Sequence, residues 1–113
     1  MGLESYKRGR EGEERAAAFL IEKGFTILER NFHSRFGEID IIAMKDEILH
    51  FIEVKYSPKN DAEYFITPQK ITKFVKTIDY YLLRKRWQGM YQMDAIIIKG
   101  EKISYLENIS IWG

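Results

Sequence analysis

Gly37-Glu38-Ile39-Asp40-Ile41-Ile42-Ala43-Met44-Lys45-Asp46-Glu47-Ile48-Leu49-His50-Phe51-Ile52-Glu53-Val54-Lys55 is the stretch on which the reading of this chain turns. Two apolar, β-branched runs joined by a short charged link are the pattern of a β-hairpin. If Asp46 and Glu47 form the tip, Ile42 stands opposite Phe51, Asp40 opposite Glu53 and Glu38 opposite Lys55. Neither tip residue is Gly or Asn, as a primed turn prefers. A four-residue loop from Lys45 to Ile48 preserves the same pairing, so the register does not depend on the turn. Side chains alternate with period two, which predicts one face carrying Glu38, Asp40, Ile42, Phe51, Glu53 and Lys55.

Charges inside runs that otherwise look buried are costly unless paired or bound to an ion. Two carboxylates directly across a hairpin also repel each other. A divalent cation between them would remove both problems. Carboxylates, backbone carbonyls and water are the ligands of a hard ion such as Mg²⁺. With no cysteine and only His33 and His50 to offer nitrogen, zinc is disfavoured.

The pattern Gly-Glu-Ile-Asp at 37–40 followed, after twelve residues, by Glu53-x-Lys55 resembles the core of the PD-(D/E)xK nuclease superfamily. Within it the chain is most similar to the small bacterial YraN-type family, itself similar to archaeal Holliday-junction resolvases. Gly9, Gly12-Glu13 and Ala16 to Leu20 resemble that family's first helix, Ile27-Leu28-x-Arg30-Asn31 its next segment, and Tyr91 to Ile98 a later strand. Ile39 departs from the superfamily's name, standing where the motif has Pro, as in much of the resolvase-like branch. The resemblance implies a restriction-endonuclease-like α/β fold and a metal-dependent endonuclease acting on DNA, branched or structured as for the resolvases. The products it implies are a 5′-phosphate and a 3′-hydroxyl. It further implies Glu13, Asp40, Glu53 and Lys55 as catalytic residues. Glu13, Asp40, Glu53 and the Val54 carbonyl would hold Mg²⁺ or Mn²⁺, and Lys55 would act on the attacking water or the developing charge.

At 113 residues the chain is expected to be one domain, 1–113, with enough apolar content for a core. There is no signal-peptide pattern and no run long enough to span a membrane. The lack of cysteine suits a reducing, cytoplasmic setting. A net charge of +1 sets up no global attraction for nucleic acid, so any basic surface must be local.

Ser5 to Lys23 reads as a helix closed by Gly24. With successive residues about 100° apart, Glu11, Arg15 and Glu22 mark its polar side. Gly9, Glu13, Ala17 and Leu20 lie opposite, so Glu13 faces inward while its neighbour Glu14 projects nearer the polar side. A first-turn acid favoured by the helix dipole is the plainer explanation of Glu13; the match to Gly-x-x-Gly-Glu favours the site. Phe25 to Arg30 is a strand, and Asn31 to Phe36 a turn in which His33, Ser34 and Arg35 could reach a phosphate, although a solvated loop is the simpler account. The Tyr56 to Asp61 segment is a loop beside the proposed site.

Thr67-Pro68 opens a second helix, Thr as N-cap and Pro in the first position. Ile71, Phe74, Val75, Ile78 and Leu82 form its apolar stripe, and Lys70, Lys73, Lys76 and Tyr80 lie outward. Gln69 and Lys70 at its start are placed to meet an anion. The relatives' Gln-x-x-x-Tyr form is broken by Lys73. The helix ends in Arg84-Lys85-Arg86-Trp87, cations that the helix dipole favours there. Met93 to Lys99 and Lys102 to Leu106 are the last strands. Asp94 resembles an acid common in the family but is read first as structural, paired with a basic side chain.

Together these features predict a mixed sheet of about five strands flanked by two principal helices. DNA is the expected partner, contacted through Arg35, Gln69 and Lys70, with no membrane association. Symmetric cutting of a junction would require a homodimer. The competing classes are a non-catalytic nucleic-acid-binding module and a structural domain in which Lys55 merely neutralises Glu38 or Glu53.

Overall fold

The computed structural model describes residues 3–57 and 67–109, the first seven as helical backbone. The elements run α1 (Leu3–Glu22), β1 (Thr26–Ser34), β2 (Gly37–Lys45), β3 (Ile48–Ser57), α2 (Pro68–Lys85), β4 (Met90–Lys99) and β5 (Lys102–Leu106). The strands form one sheet in sequence order. Neighbours are antiparallel except β3 and β4, which are parallel. A parallel pair needs a crossover, and α2 lies in it. The α/β mixed five-stranded sheet therefore stands as expected.

Each face of the sheet is apolar and carries one helix. Ala16, Ala17 and Leu20 of α1 pack with Ile41, Ala43, Ile52, Ile96 and Ile98. Phe74, Ile78 and Tyr81 of α2 pack with Ile39, Ile42, Leu49, Phe51 and Met93. The near-continuous apolar reading of β2, β3 and β4 follows from this double cover. α2 begins as its sequence dictates, the Thr67 hydroxyl accepting from the Lys70 N–H at 3.2 Å with Pro68 next in line. It ends with Arg86 in the left-handed region (φ 54°), its N–H turned back to the Leu82 and Leu83 carbonyls. None of the described helices is long and apolar enough to cross a membrane.

The β2–β3 ladder runs from Ile41↔Ile52 to Lys45↔Ile48, the register expected from the sequence. Asp46 (φ 51°) and Glu47 (φ 66°) both adopt the positive φ of a type I′ turn, so the two-residue tip forms without Gly or Asn. β1 is longer than its sequence suggests. The segment read as a turn from Asn31 continues as strand to Ser34, leaving Arg35 and Phe36 as the turn.

The shared face predicted for six hairpin residues is corrected. Ile39 and Ile42 both lie in the cluster beneath α2, whereas Ile41 packs under α1 and the Asp40 carboxylate meets α1 through Glu13. Strict alternation thus fails between Asp40 and Ile41. The partner strand shows why: Asn31 has φ 55°, and the Asn31–Asp40 pair is missing between Arg30↔Ile41 and Phe32↔Ile39, on a ladder whose register also shifts between Ile27 and Glu29. Glu38 and Asp40 consequently face α1, and Ile42 and Phe51 face α2. Arg15, placed by helical phase on the polar side, instead donates from Nη1 to the Gly100 carbonyl at 2.7 Å.

Candidate active site

The sheet forks where the charged residues begin. Beyond Ile41↔Ile52 the β2–β3 ladder stops. β2 stays paired with β1 as far as Ser34↔Gly37, and β3 stays paired with β4 as far as Ser57↔Lys99. Asp40 stands at the opening. Its Oδ2 accepts the Val54 N–H at 2.7 Å, so a side chain takes the hydrogen bond that a continuing ladder would have made. The contact from Val54 is its N–H and not its carbonyl.

α1 is brought down onto this fork by a glycine. A Cβ at Gly12 would lie 2.7 Å from the Cβ of Tyr56 on β3, closer than real Cβ contacts come. Only Gly allows the approach, and the next residue, Glu13, is delivered to Asp40. Glu13, Glu38 and Asp40 each offer a carboxylate oxygen within 4.8 Å of the other two. Glu14, one residue on, is 59% exposed against 17% for Glu13, as helical phase requires. Arg30 of β1 supplies local positive charge, 3.7 Å from Glu13 and 3.0 Å from Glu14. Its Nε is buried without a partner among the described residues.

The electrostatics at Asp40 are those of an enclosed acid among other acids. Burial, opposed by the Val54 hydrogen bond and reinforced by Glu13, Glu38 and Glu53 in that order, raises the Asp40 pKa to about 7. At neutral pH this carboxylate is poised between ionised and protonated. A cation drawn to three crowded oxygens would displace the proton, and an all-carboxylate donor set with backbone nearby suits a hard divalent ion.

Of the residues singled out from sequence, the structure brings Glu13 and Asp40 together and adds Glu38. Glu53 acts on Asp40 through charge but is not one of the three. Val54 and Tyr56 pack toward the α1 cluster, so alternation carries Glu53 and Lys55 to the other side of β3. Lys55 is exposed and makes no ion pair among the described residues. Arg35 is exposed at the β1–β2 turn, its guanidinium 4.9 Å from the Phe36 ring centroid. Gln69 and Lys70 are exposed in the first turn of α2. Of the expected Tyr56–Asp61 loop, Tyr56 and Ser57 belong to β3, and Pro58 to Asp61 lie outside the described residues, as does the side-chain environment of Gly9.

Glu38 and Arg30 are the two charged groups that sequence reasoning did not assign here. Glu38 had a signal, since it lies two residues from Asp40 on the same strand face. Arg30 had only its place in the Ile-Leu-x-Arg-Asn segment.

Asp94 is a different kind of buried acid. It is fully buried and takes hydrogen bonds from Tyr105 Oη (2.5 Å), Gln92 Nε2 (2.8 Å) and the Asn108 N–H (2.8 Å), with His50 Nδ1 at 2.6 Å. Burial works to raise its pKa, but the bonds from His50, Asn108, Tyr105 and Gln92 outweigh it and hold the carboxyl below its ordinary value. The basic partner expected from sequence is His50.

Residues 12–98 match the model of the family described as "Uncharacterised protein family UPF0102". A UPF0102 protein of a Nitratiruptor species is 55% identical over 111 residues, 98% of this chain and 99% of that protein. One from Campylobacter hominis is 57% identical over 112 residues, covering 98% and 100%. A third, from Campylobacter jejuni subsp. jejuni, is 51% identical over 112 residues, covering 97% and 99%. The matched span includes α1 from Gly12, the whole forked hairpin and α2, and this chain belongs to the UPF0102 family.

Proposed function

We propose that this protein is a Mg²⁺- or Mn²⁺-dependent endonuclease that hydrolyses phosphodiester bonds in DNA, with branched or structured DNA as its substrate. The observation carrying this reading is the gathering of the Glu13, Glu38 and Asp40 carboxylates at the fork, where burial first and the acidic neighbours second hold the Asp40 pKa near 7. A purely structural acid would be expected to have donors around it, as Asp94 does.

In this reading Glu13, Asp40 and Glu38 bind the cation, and Glu53 adds negative charge from across the fork. The Val54 N–H fixes the Asp40 carboxylate so that one oxygen keeps its orientation. A divalent ion held by these residues would supply polarisation of the scissile phosphate and a lowered pKa for a coordinated water. Lys55, which alternation sets on the opposite side of β3, would reach round the open fork to orient the attacking water or offset the charge that builds on the phosphate oxygens. Arg35, Gln69 and Lys70 supply phosphate contacts that set the position of the duplex without reading its sequence.

The test is purified protein against labelled junctions, flaps and linear duplexes, with Mg²⁺, Mn²⁺ or EDTA. Cleavage is expected in metal and absent in EDTA. Asp40→Asn and Lys55→Ala should both abolish it, whereas Lys55→Ala should bind Mn²⁺ in calorimetry at least as tightly as wild type. Glu13→Gln should lose far more activity than Glu14→Gln. No cleavage under any condition, beside salt-dependent binding of the same DNAs, would replace the nuclease by a non-catalytic binding module.

A further inference from the structure

At the other end of the sheet, about 13 Å along β3 from Val54, the α1 face contains a cavity of about 320 Å³ beside His50. This is the size at which small-molecule pockets begin. Three aromatic rings wall it: Phe19 from α1, Phe25 from the turn after it, and Tyr105 from β5. Phe25 meets Tyr105 edge to face at 6.0 Å and His50 at 4.9 Å, so the walls brace one another.

His50 is the polar group at the back. It is 5% exposed, and its Nδ1 is committed to Asp94. Nδ1 faces the Asp94 carboxylate and so carries a hydrogen, which leaves Nε2 as the ring atom able to meet a ligand. Nε2 has no protein partner among the described residues. Nor is it a sealed-off atom, since Arg30 Nε alone is buried and unpaired among them. Nε2 therefore opens into the cavity that His50 lines. Gln92 also lines it; its amide nitrogen donates to Asp94, leaving the amide oxygen as an acceptor. Four charged groups ring the cavity. Lys23 and Lys45 lie over the Phe19 and Phe25 rings at 5.5 and 5.1 Å, and Asp46 and Glu107 stand at the rim.

We propose that this cavity binds a single nucleotide, its base between the aromatic walls and its phosphate on Lys23 and Lys45. Aromatic walls select a flat ring. At the back, the Gln92 oxygen and His50 Nε2 select a ring edge that bears polar atoms, an N–H donor for the oxygen among them, which nucleobases present and simple aromatic acids lack. The lysines supply the anion contact. The acids at the rim disfavour a ligand of high negative charge, so a monophosphate or one residue of a chain fits better than a triphosphate. The nucleotide could be free, or a base turned out of a DNA strand, at the usual cost of unstacking. The inference does not depend on the nuclease reading, because none of its residues belongs to the acid site.

The chain has only two histidines, so imidazole NMR gives a probe and an internal control. In EDTA, the four DNA nucleoside 5′-monophosphates, adenosine, inorganic phosphate and a DNA hairpin with one extrahelical adenine are each titrated into the full chain. At least one mononucleotide or the hairpin should shift the His50 signals saturably while His33 stays still. The Lys23→Ala/Lys45→Ala double variant, which leaves the Asp94 network intact, should weaken that response at least tenfold. A shift with the hairpin alone identifies the source as DNA. Absence of any saturable His50 shift, an equal response to inorganic phosphate, or indifference to the lysine variant would each overturn the proposal.

Discussion

Two aspartates lie in the interior of one sheet and are treated in opposite ways. Asp94 is wrapped in donors from β4, β3, β5 and the segment after β5, and burial is overcome. Asp40 has one described donor, the Val54 N–H, and its charged neighbours Glu13, Glu38 and Glu53 are of its own sign. Asp94 is fully buried and Asp40 partly so, and burial works to raise the pKa of both, so burial alone does not set their difference. The identity of the neighbours does. In the proposed reading, an acid satisfied as little as Asp40 is where a cation would bind.

The largest expected break in that comparison is in stability. Asp94→Ala leaves buried donors without an acceptor, and should cost about 3–5 kcal/mol, as removal of one member of a buried ion pair does. Asp40→Asn in EDTA should keep the wild-type melting temperature or raise it, because a neutral isostere relieves like-charge crowding. Paired thermal melts measure both. If Asp40→Asn melts clearly lower in EDTA and the wild type ignores Mn²⁺, Asp40 is structural too.

The pH dependence should separate the two next. Asp40 has a folded pKa raised to about 7, so the folded state holds its proton more tightly than the unfolded chain. Its stability contribution is full below the ordinary carboxylate pKa and is lost as pH rises from about 4 through about 7, by at most about 4 kcal/mol. Asp94, with a lowered pKa, works in reverse: its contribution is present above the ordinary value and is lost as acid titrates it below that value. Denaturation in EDTA across pH 4–8 should therefore show a loss in the wild type that Asp40→Asn flattens. A slope unchanged by the substitution would rule Asp40 out as its source.

Metal should then restore what high pH removes. At a free Mn²⁺ concentration of about 100 times the dissociation constant, mass action adds about 2.7 kcal/mol. The gain should be larger at pH 8 than at pH 6, where protons compete for Asp40, and should largely vanish in Asp40→Asn. An equal gain in the mutant would place the ion elsewhere.

How much of this contrast could be read from the chain follows from which interactions are local. The hairpin register was available, because two apolar runs and a charged tip leave one pairing that buries both. The phase of α1 likewise separated Glu13 from Glu14. The face of Asp40 relative to Ile42 was not available, since it rests on Asn31 taking a left-handed backbone one strand away. Extrapolating the ladder sets Glu38 against Lys55, whereas the ladder ends at Ile41↔Ile52 and the strands part, which frees Glu38 to join Asp40. His50 and Asp94 are 44 residues apart, and no spacing rule joins them.

The smallest effect expected is also the one that tests the cause of Asp40's behaviour. Burial is the main reason its pKa is high, and the charges of Glu13, Glu38 and Glu53 add to it in descending order. Neutralising one neighbour should accordingly lower the Asp40 pKa without returning it to the ordinary range. Glu13→Gln should lower it more than Glu38→Gln, because Glu13 is the more enclosed and water screens the half-exposed Glu38 better. Carbon-detected NMR titration of the aspartate carboxyls in EDTA reads the shift directly, with Asp94 as a control whose pKa neither substitution should move. If Glu13→Gln alone brought Asp40 back to about 4, repulsion and not burial would be the dominant cause. The site would then be better described as a crowded surface cluster than as an enclosed seat for an ion.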